Sequence, residues 1–179
     1  MIEHCSIDNE FGGFCWNKIY KTAIIGKNRF PEDMDIMEDT YFLCVVSKTA
    51  QRIYYLAKPL YYYCDNSNSS VRNIDNLYSD NNTVKYIDAW EKILTNFRLN
   101  DISKNYIYVA MVKVAIDFRR LEKQGKHKGN KKLTNKLDEI ILNHKQDLYD
   151  CKKVTGYEKV KWTIKYLFPR LRKYLKIGV

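Results

Sequence analysis

Long apolar runs are missing from this chain. The longest, Ile107 to Ile116, is broken by Lys113 and falls far short of the roughly 20 residues that a helix needs to span a bilayer, so an integral membrane protein is not expected. Five cysteines (Cys5, Cys15, Cys44, Cys64 and Cys151) are scattered, with no C-x-x-C pair and no neighbouring histidine at zinc spacing. They read as reduced thiols of a cytoplasmic protein, and neither a disulfide scaffold nor a zinc site is expected. No glycine-rich phosphate loop of the form G-x-G-x-x-G or G-x-x-x-x-G-K-S/T occurs, so no nucleotide site is visible. The opening MIEHCSIDNEFGG lacks a basic stretch followed by an apolar core, so no signal peptide is expected. Internal repeats and low-complexity segments are also missing.

What is present suffices for one domain with a core. The chain has 179 residues, 45% of them hydrophobic, enough for a single core and a helical annex but not for two large independent domains. The formal net charge of +10 is unevenly spread. Lys152 to Lys176 holds nine Lys or Arg against Glu158 alone, a local net of +8, which leaves the body nearly neutral.

Along the chain, residues 1 to 37 carry Gly12, Gly13, Gly26 and Pro31 between short apolar pieces, a pattern of loops and short strands. From Thr40 to Ala50 the positions of Phe42, Leu43, Val45 and Val46 predict a short helix, with Glu38 and Asp39 at its positive end. Arg52–Leu56 and Leu60–Cys64 are β-prone runs around Ala57-Lys58-Pro59, which predicts two strands joined by a tight connection. Alternate tyrosines of the second run would face the core, leaving Tyr62 on the opposite side. Asp65 to Ser70 reads as a loop. Beyond Asp75 the pattern turns helical: Val84, Ile87, Trp90, Leu94 and Phe97 recur at helical spacing, as do Leu133, Leu137, Ile140, Ile141 and Leu148. Between them, Ile102 to Leu121 is apolar on nearly all sides until Asp117, as a helix buried among others would be. Lys123 to Lys132 reads as a solvated basic loop.

The order W-N-K-x-Y (Trp16 to Tyr20), R-F-P-E (Arg29 to Glu32), E-D-x-x-F (Glu38 to Phe42) and P-L-Y-Y-Y (Pro59 to Tyr63) resembles the acceptor-side half of a family 2 glycosyltransferase. The resemblance covers residues 1 to about 75 of the 179. It implies an α/β (α+β) fold: residues 1–78 as the C-terminal part of an inverting GT-A domain with a few short strands, residues 79–179 as a mostly helical annex. By the same resemblance Asp39 would be the catalytic base that deprotonates the acceptor hydroxyl, with Glu38 orienting it, and Trp16, Asn17 and Lys18 would line the acceptor wall. A carboxylate fixed at a helix start suits a general base, although an Asp there is more often a cap. Trp16 could stack on a sugar ring or sit in the core. Many members carry Arg after the tyrosines, where this chain has Cys64.

The family's nucleotide-binding strands, helices and metal-binding D-x-D do not precede Trp16. Asp33-Met34-Asp35 spells D-x-D, but inside the acceptor motif after Pro31 it reads as coincidence. No cofactor is expected within this chain, and Mn or Mg only in a completed enzyme. The implied function is inverting sugar transfer from a nucleotide-sugar donor to a glycan acceptor in polysaccharide or cell-surface glycan assembly. A separate donor-binding half or a homo-oligomer would have to complete the truncated transferase. The alternative is a non-catalytic binding or scaffolding module.

In the basic tail, Val160, Ile164, Leu167, Leu171 and Leu175 form one helical stripe, while Lys161, Lys165, Arg172 and Lys176 lie on another face, with Trp162, Tyr166 and Tyr174 as interfacial aromatics. That composition predicts a helix on an anionic membrane surface, kinked or restarted at Pro169, in a protein that is cytoplasmic or peripheral on the inner face of the cell membrane. The same pattern also fits a last helix packed on the bundle with a solvated basic face. Nucleic acid is the least favoured partner, because no DNA- or RNA-binding motif accompanies the charge.

Overall fold

The structure, a computed structural model, describes residues 12–64 and 79–168. The expected loop from Asp65 to Ser70, and the tail positions Arg172, Lys176, Leu171, Tyr174 and Leu175, lie outside the described residues. The described residues form six helices: α1 (Thr22–Ile25), α2 (Glu38–Ser47), α3 (Asp80–Asn96), α4 (Asp101–Lys123), α5 (Lys131–Asp150) and α6 (Gly156–Leu167). Among them there is no strand. The expected α/β class with a few short strands is therefore corrected to a helical one, which is at odds with a GT-A domain.

The physical reason lies in Arg52–Leu56 and Leu60–Cys64. β-propensity measures how well a residue fits a pleated, half-buried surface, yet a strand exists only when its backbone groups find a ladder partner. Here both runs are solvent-exposed and unpaired. Among the described residues the one backbone hydrogen bond within 52–64 runs from Lys58 N–H to the Leu56 carbonyl at 2.8 Å, a three-residue turn centred on Ala57.

The helices form because their caps and their periodicity agree. Ser79, Asn100, Asn130 and Thr155 each accept the backbone N–H three residues on, at 3.3, 2.8, 2.9 and 3.2 Å, which satisfies a donor that the first turn leaves orphaned. Thr155 forms a full capping box with Glu158, whose carboxylate reaches back to the Thr155 N–H at 3.1 Å. Helix α4 ends at Gly125, whose φ of +69° is the left-handed turn that glycine adopts without penalty.

Helix α4 is the spine. It packs against α5 most extensively and against α3 and α6, and α2 packs on α3. The core joins Ile87, Trp90 and Ile93 of α3, Ile107, Val112, Ile116 and Phe118 of α4, and Leu133, Leu137 and Ile141 of α5. The residues at helical spacing in the sequence thus line the buried faces of α3 and α5. Ile102 does not belong to that core: it is exposed on the first turn of α4. Arg119 of α4 fixes the register against α5 with a fork onto Asp138, at 2.7 and 3.0 Å, a bidentate geometry that only a planar guanidinium supplies.

Candidate functional site

Residues 13–18, the first turn of α2 and the tyrosine run meet in one corner. Gly13 lies so close to α2 that a β-carbon there would stand 2.3 Å from Thr40 Oγ1. Thr40 Oγ1 donates to the Gly13 carbonyl at 3.2 Å, and the Cys15 thiol donates weakly to the Asp39 carbonyl at 3.7 Å. These contacts stitch the loop onto the start of α2. Burial, reinforced by the Asp39 carboxylate, pushes the Cys15 thiol up to about 12, so it stays protonated at neutral pH and is a poor nucleophile.

Trp16 follows directly. Its ring lies 5.0 Å from Phe14, 5.2 Å from Tyr61 and 5.0 Å from Tyr63. Lys18 Nζ donates to the Phe14 carbonyl at 2.6 Å, and exposed Asn17 takes a left-handed φ of +60°. The corner thus brings the loop of Trp16, Asn17 and Lys18, expected at the acceptor wall, against Asp39 at the start of α2, with Asn17 exposed. Asp39 does not cap its helix: the N-cap is Met37, in the left-handed region with no side-chain cap, and Asp39 is the second helical residue.

Asp33 and Asp35 are each engaged by a lysine of α3. Asp33 accepts two hydrogen bonds from Lys92 Nζ, at 2.7 and 2.6 Å, which hold its carboxyl below the usual range, and Asp35 pairs with Lys85. Both tie the loop before α2 to α3. Among the described residues no three His, Cys, Asp or Glu side chains gather where they could hold a metal ion.

The second surface is α6. Its inward face carries Trp162, which packs against both buried clusters, and Lys165, whose ammonium donates to Asp117 at 2.9 and 3.3 Å and stands 3.9 Å above the Trp162 ring. Arg120 completes the group at 3.1 Å from Asp117. Glu158 adds an ion pair to Lys113 of α4 at 3.6 Å, and Tyr149 and Thr163 share a hydrogen bond of 2.7 Å. Lys165, expected at a membrane surface, is therefore occupied inside the bundle. Trp162, expected at the interface, is an inward anchor. Lys161 is half-buried at the edge between the two faces.

What α6 turns outward is apolar. Tyr157, Val160, Leu167 and Phe168 are each more than half exposed, with Ile164 half-buried between them. At 100° per residue these five lie within a single 100° arc of the helix. No residue of α6 is fully buried. The sequence that follows, PRLRKYLKIGV, alternates four Lys or Arg with Leu, Tyr and Ile.

Asp117 and Arg120 are the members of this group that periodicity alone misses. Their signal was a lone acid ending a long apolar run, opposite a lysine-rich terminal segment. Comparison of the chain with protein-family models, with curated proteins and with solved structures finds no match. With no strand among the described residues and no match to a family, the glycosyltransferase assignment is withdrawn.

Proposed function

We propose that the protein is a non-catalytic helical binding module that attaches peripherally to an anionic membrane surface through the outer face of α6 and the basic chain beyond it. The observation that carries this reading is the outward arc of Tyr157, Val160, Ile164, Leu167 and Phe168. Helix α6 has a good inward anchor in Trp162, so its apolar arc is not surplus core. It faces water beside a segment of positive charge. Apolar side chains are stabilised by about 1.5–3 kcal/mol each when fully removed from water, and each Lys or Arg near an anionic leaflet adds about 1 kcal/mol. Neither term alone gives stable attachment, whereas the two together do. No helix among the described residues is long and apolar enough to cross a membrane.

The test is co-sedimentation with phosphatidylcholine vesicles with and without phosphatidylserine. Binding should require the anionic lipid, weaken as salt screens the charge, and fall at least about tenfold for the Tyr157→Ser/Leu167→Ser double variant. Binding that ignores anionic lipid, or that survives the double variant unchanged, refutes the proposal. Salt-sensitive binding to duplex DNA in place of vesicles would transfer the tail to nucleic acid.

A further inference from the structure

We infer that the lysine loop between α4 and α5 is a second contact with the anionic leaflet, one that brings the bundle to the membrane by the end at which α4 and α6 finish and α5 begins. The inference rests on the membrane reading of α6 and adds to it which end of the bundle meets the lipid.

Pairings between helices fix that end. Helix α6 runs parallel to α4: Glu158 meets Lys113 at 3.6 Å, and Lys165, further along α6, meets Asp117, further along α4, at 2.9 Å. Helix α5 runs antiparallel to α4, because Asn105 donates to Asp147 at 3.0 Å and Arg119 to Asp138 at 2.7 Å. At a rise of about 1.5 Å per residue, α4 continues about 9 Å past Asp117 to Lys123, and α6 about 5 Å past Lys165 to Phe168. The loop from Lys123 to Lys132 therefore closes the same end of the bundle as Leu167 and Phe168, which are 57% and 54% exposed.

The loop presents its charge from a fixed backbone. Lys123 to Lys132 holds five lysines and no Asp or Glu. It is pinned from the inside: His127 Nε2 meets Asp80 at 2.7 Å, the Gly129 N–H donates to Glu122 at 3.1 Å, and the Asn130 N–H donates to Asp80 at 3.0 Å. A β-carbon at Gly129 would stand 2.6 Å from Glu122 Oε1 and 2.8 Å from the Phe118 ring, so the loop sits hard against α4. With His127 held inward, Lys126 and Lys128 are exposed on either side of it, and Lys131 and Lys132 are exposed on the first turn of α5. Lysines elsewhere in the bundle meet acids, as Lys85, Lys92, Lys113 and Lys136 do. These four pair with none among the described residues.

Lipid fits this end better than nucleic acid does. Clustered cations attract any polyanion, but a phosphate backbone takes up only the charge and leaves Leu167 and Phe168 in water. A leaflet accommodates both, with anionic headgroups for the ammonium groups and the acyl boundary for the apolar side chains.

Co-sedimentation with phosphatidylcholine vesicles containing phosphatidylserine tests this with two variants of equal net charge. Lys126→Gln/Lys128→Gln/Lys132→Gln removes charge at the proposed end, and Lys104→Gln/Lys145→Gln/Lys152→Gln removes as much toward the other. The first should weaken binding at least about tenfold, and the second should stay within about threefold of the parent. In the unaltered protein, bound vesicles should shield Lys126, Lys128, Lys131 and Lys132 from amine acylation, read by peptide mapping, and leave Lys104 and Lys145 as reactive as in the free chain. The loop positions are exposed, so the helical far-ultraviolet signal of the loop variant should match the parent's. A loop variant that binds as well as its counterpart, or loop lysines acylated equally fast on vesicles, overturns the inference and leaves the α6 reading standing. A parent chain that ignores anionic vesicles overturns both, and loop-dependent binding to duplex DNA in their place assigns the loop to nucleic acid.

Discussion

Replacing Asp117 by Asn should destabilise this protein far more than removing the lysine that pairs with it. The Asp117 side chain is 12% exposed, and two cations converge on it, Lys165 and Arg120, at 20% and 19%. Asp117→Asn keeps the shape but leaves both charges without a counter-charge, and breaking a buried pair in this way costs about 3–5 kcal/mol. Because each cation retains a fifth of its exposure, about 3 kcal/mol is expected, which lowers Tm by roughly 6–12 °C in a chain of this size. Lys165→Met is different. Burial, with the neighbouring Arg120 and Lys161 charges, lowers the Lys165 ammonium pKa in spite of the Asp117 carboxylate, so the charged form is held there at a cost. Methionine fills similar volume and exchanges the cation–π contact with Trp162 for a sulfur–aromatic one. That variant should stay within about 1 kcal/mol of the parent, since Asp117 keeps Arg120. The pH dependence carries the same sign: the unfolded chain holds the Lys165 proton more tightly, so the contribution of this group to stability rises with pH through the window between its lowered folded value and 10.5. Lys165→Met should abolish that rise. Urea unfolding, followed by tryptophan fluorescence and circular dichroism at neutral and alkaline pH, decides. Equal losses for the two variants, or an Asp117→Asn variant as stable as the parent, would refute the reasoning.

Two further outcomes follow from local chemistry. Burial would raise the Asp80 carboxyl, but the hydrogen bond from His127 at 2.7 Å and those from Asn130 N–H and Nδ2 at 3.0 and 2.8 Å outweigh it and hold the group below its ordinary 3.8. Its contribution is complete above that value and lost as pH falls through the folded one, so Asp80→Asn should flatten the acid limb of a plot of urea midpoint against pH. An unchanged limb would place the acid sensitivity elsewhere. Among the four described cysteines, exposed Cys64 should be alkylated first at mildly alkaline pH. Cys15, pushed up to about 12, should react slowly, and buried Cys44 and Cys151 only on unfolding. Peptide mapping that finds Cys15 modified as fast as Cys64 would contradict the burial of that corner.

The helical core was legible because its information is local and redundant. Ile87 and Trp90, or Leu133, Leu137 and Ile141, repeat at intervals that only a helix brings onto one face, and each is buried. The caps Asn100 and Asn130, which that spacing argument did not use, close the starts of α4 and α5. The strands were misread because a strand is not a local object. Arg52–Leu56 has every residue a strand wants, but its ladder partner must come from elsewhere in space, and none is present among the described residues. The corner at Trp16 was not legible as such: Trp16, Lys18 and Asp39 were singled out through a family resemblance that the helical fold overturns, and the tyrosines that cover Trp16 come from a run whose own reading was structural.

The tail shows the limit of periodicity most plainly. Spacing says which residues of α6 share a face, not which face turns inward. Val160, Ile164 and Leu167 would be the inward stripe by hydrophobicity alone. In the structure they face outward instead: Trp162 packs into the bundle, and Lys165 reaches Asp117, near the end of the apolar stretch of α4. Trp162 in the core and Lys165 on Asp117 share one side of the helix, and the aliphatic stripe is left on the other. Asp117→Asn, which leaves Lys165 and Arg120 without their counter-charge, should loosen the seat of α6 on α4, and the vesicle binding proposed for its outer face should fall with it.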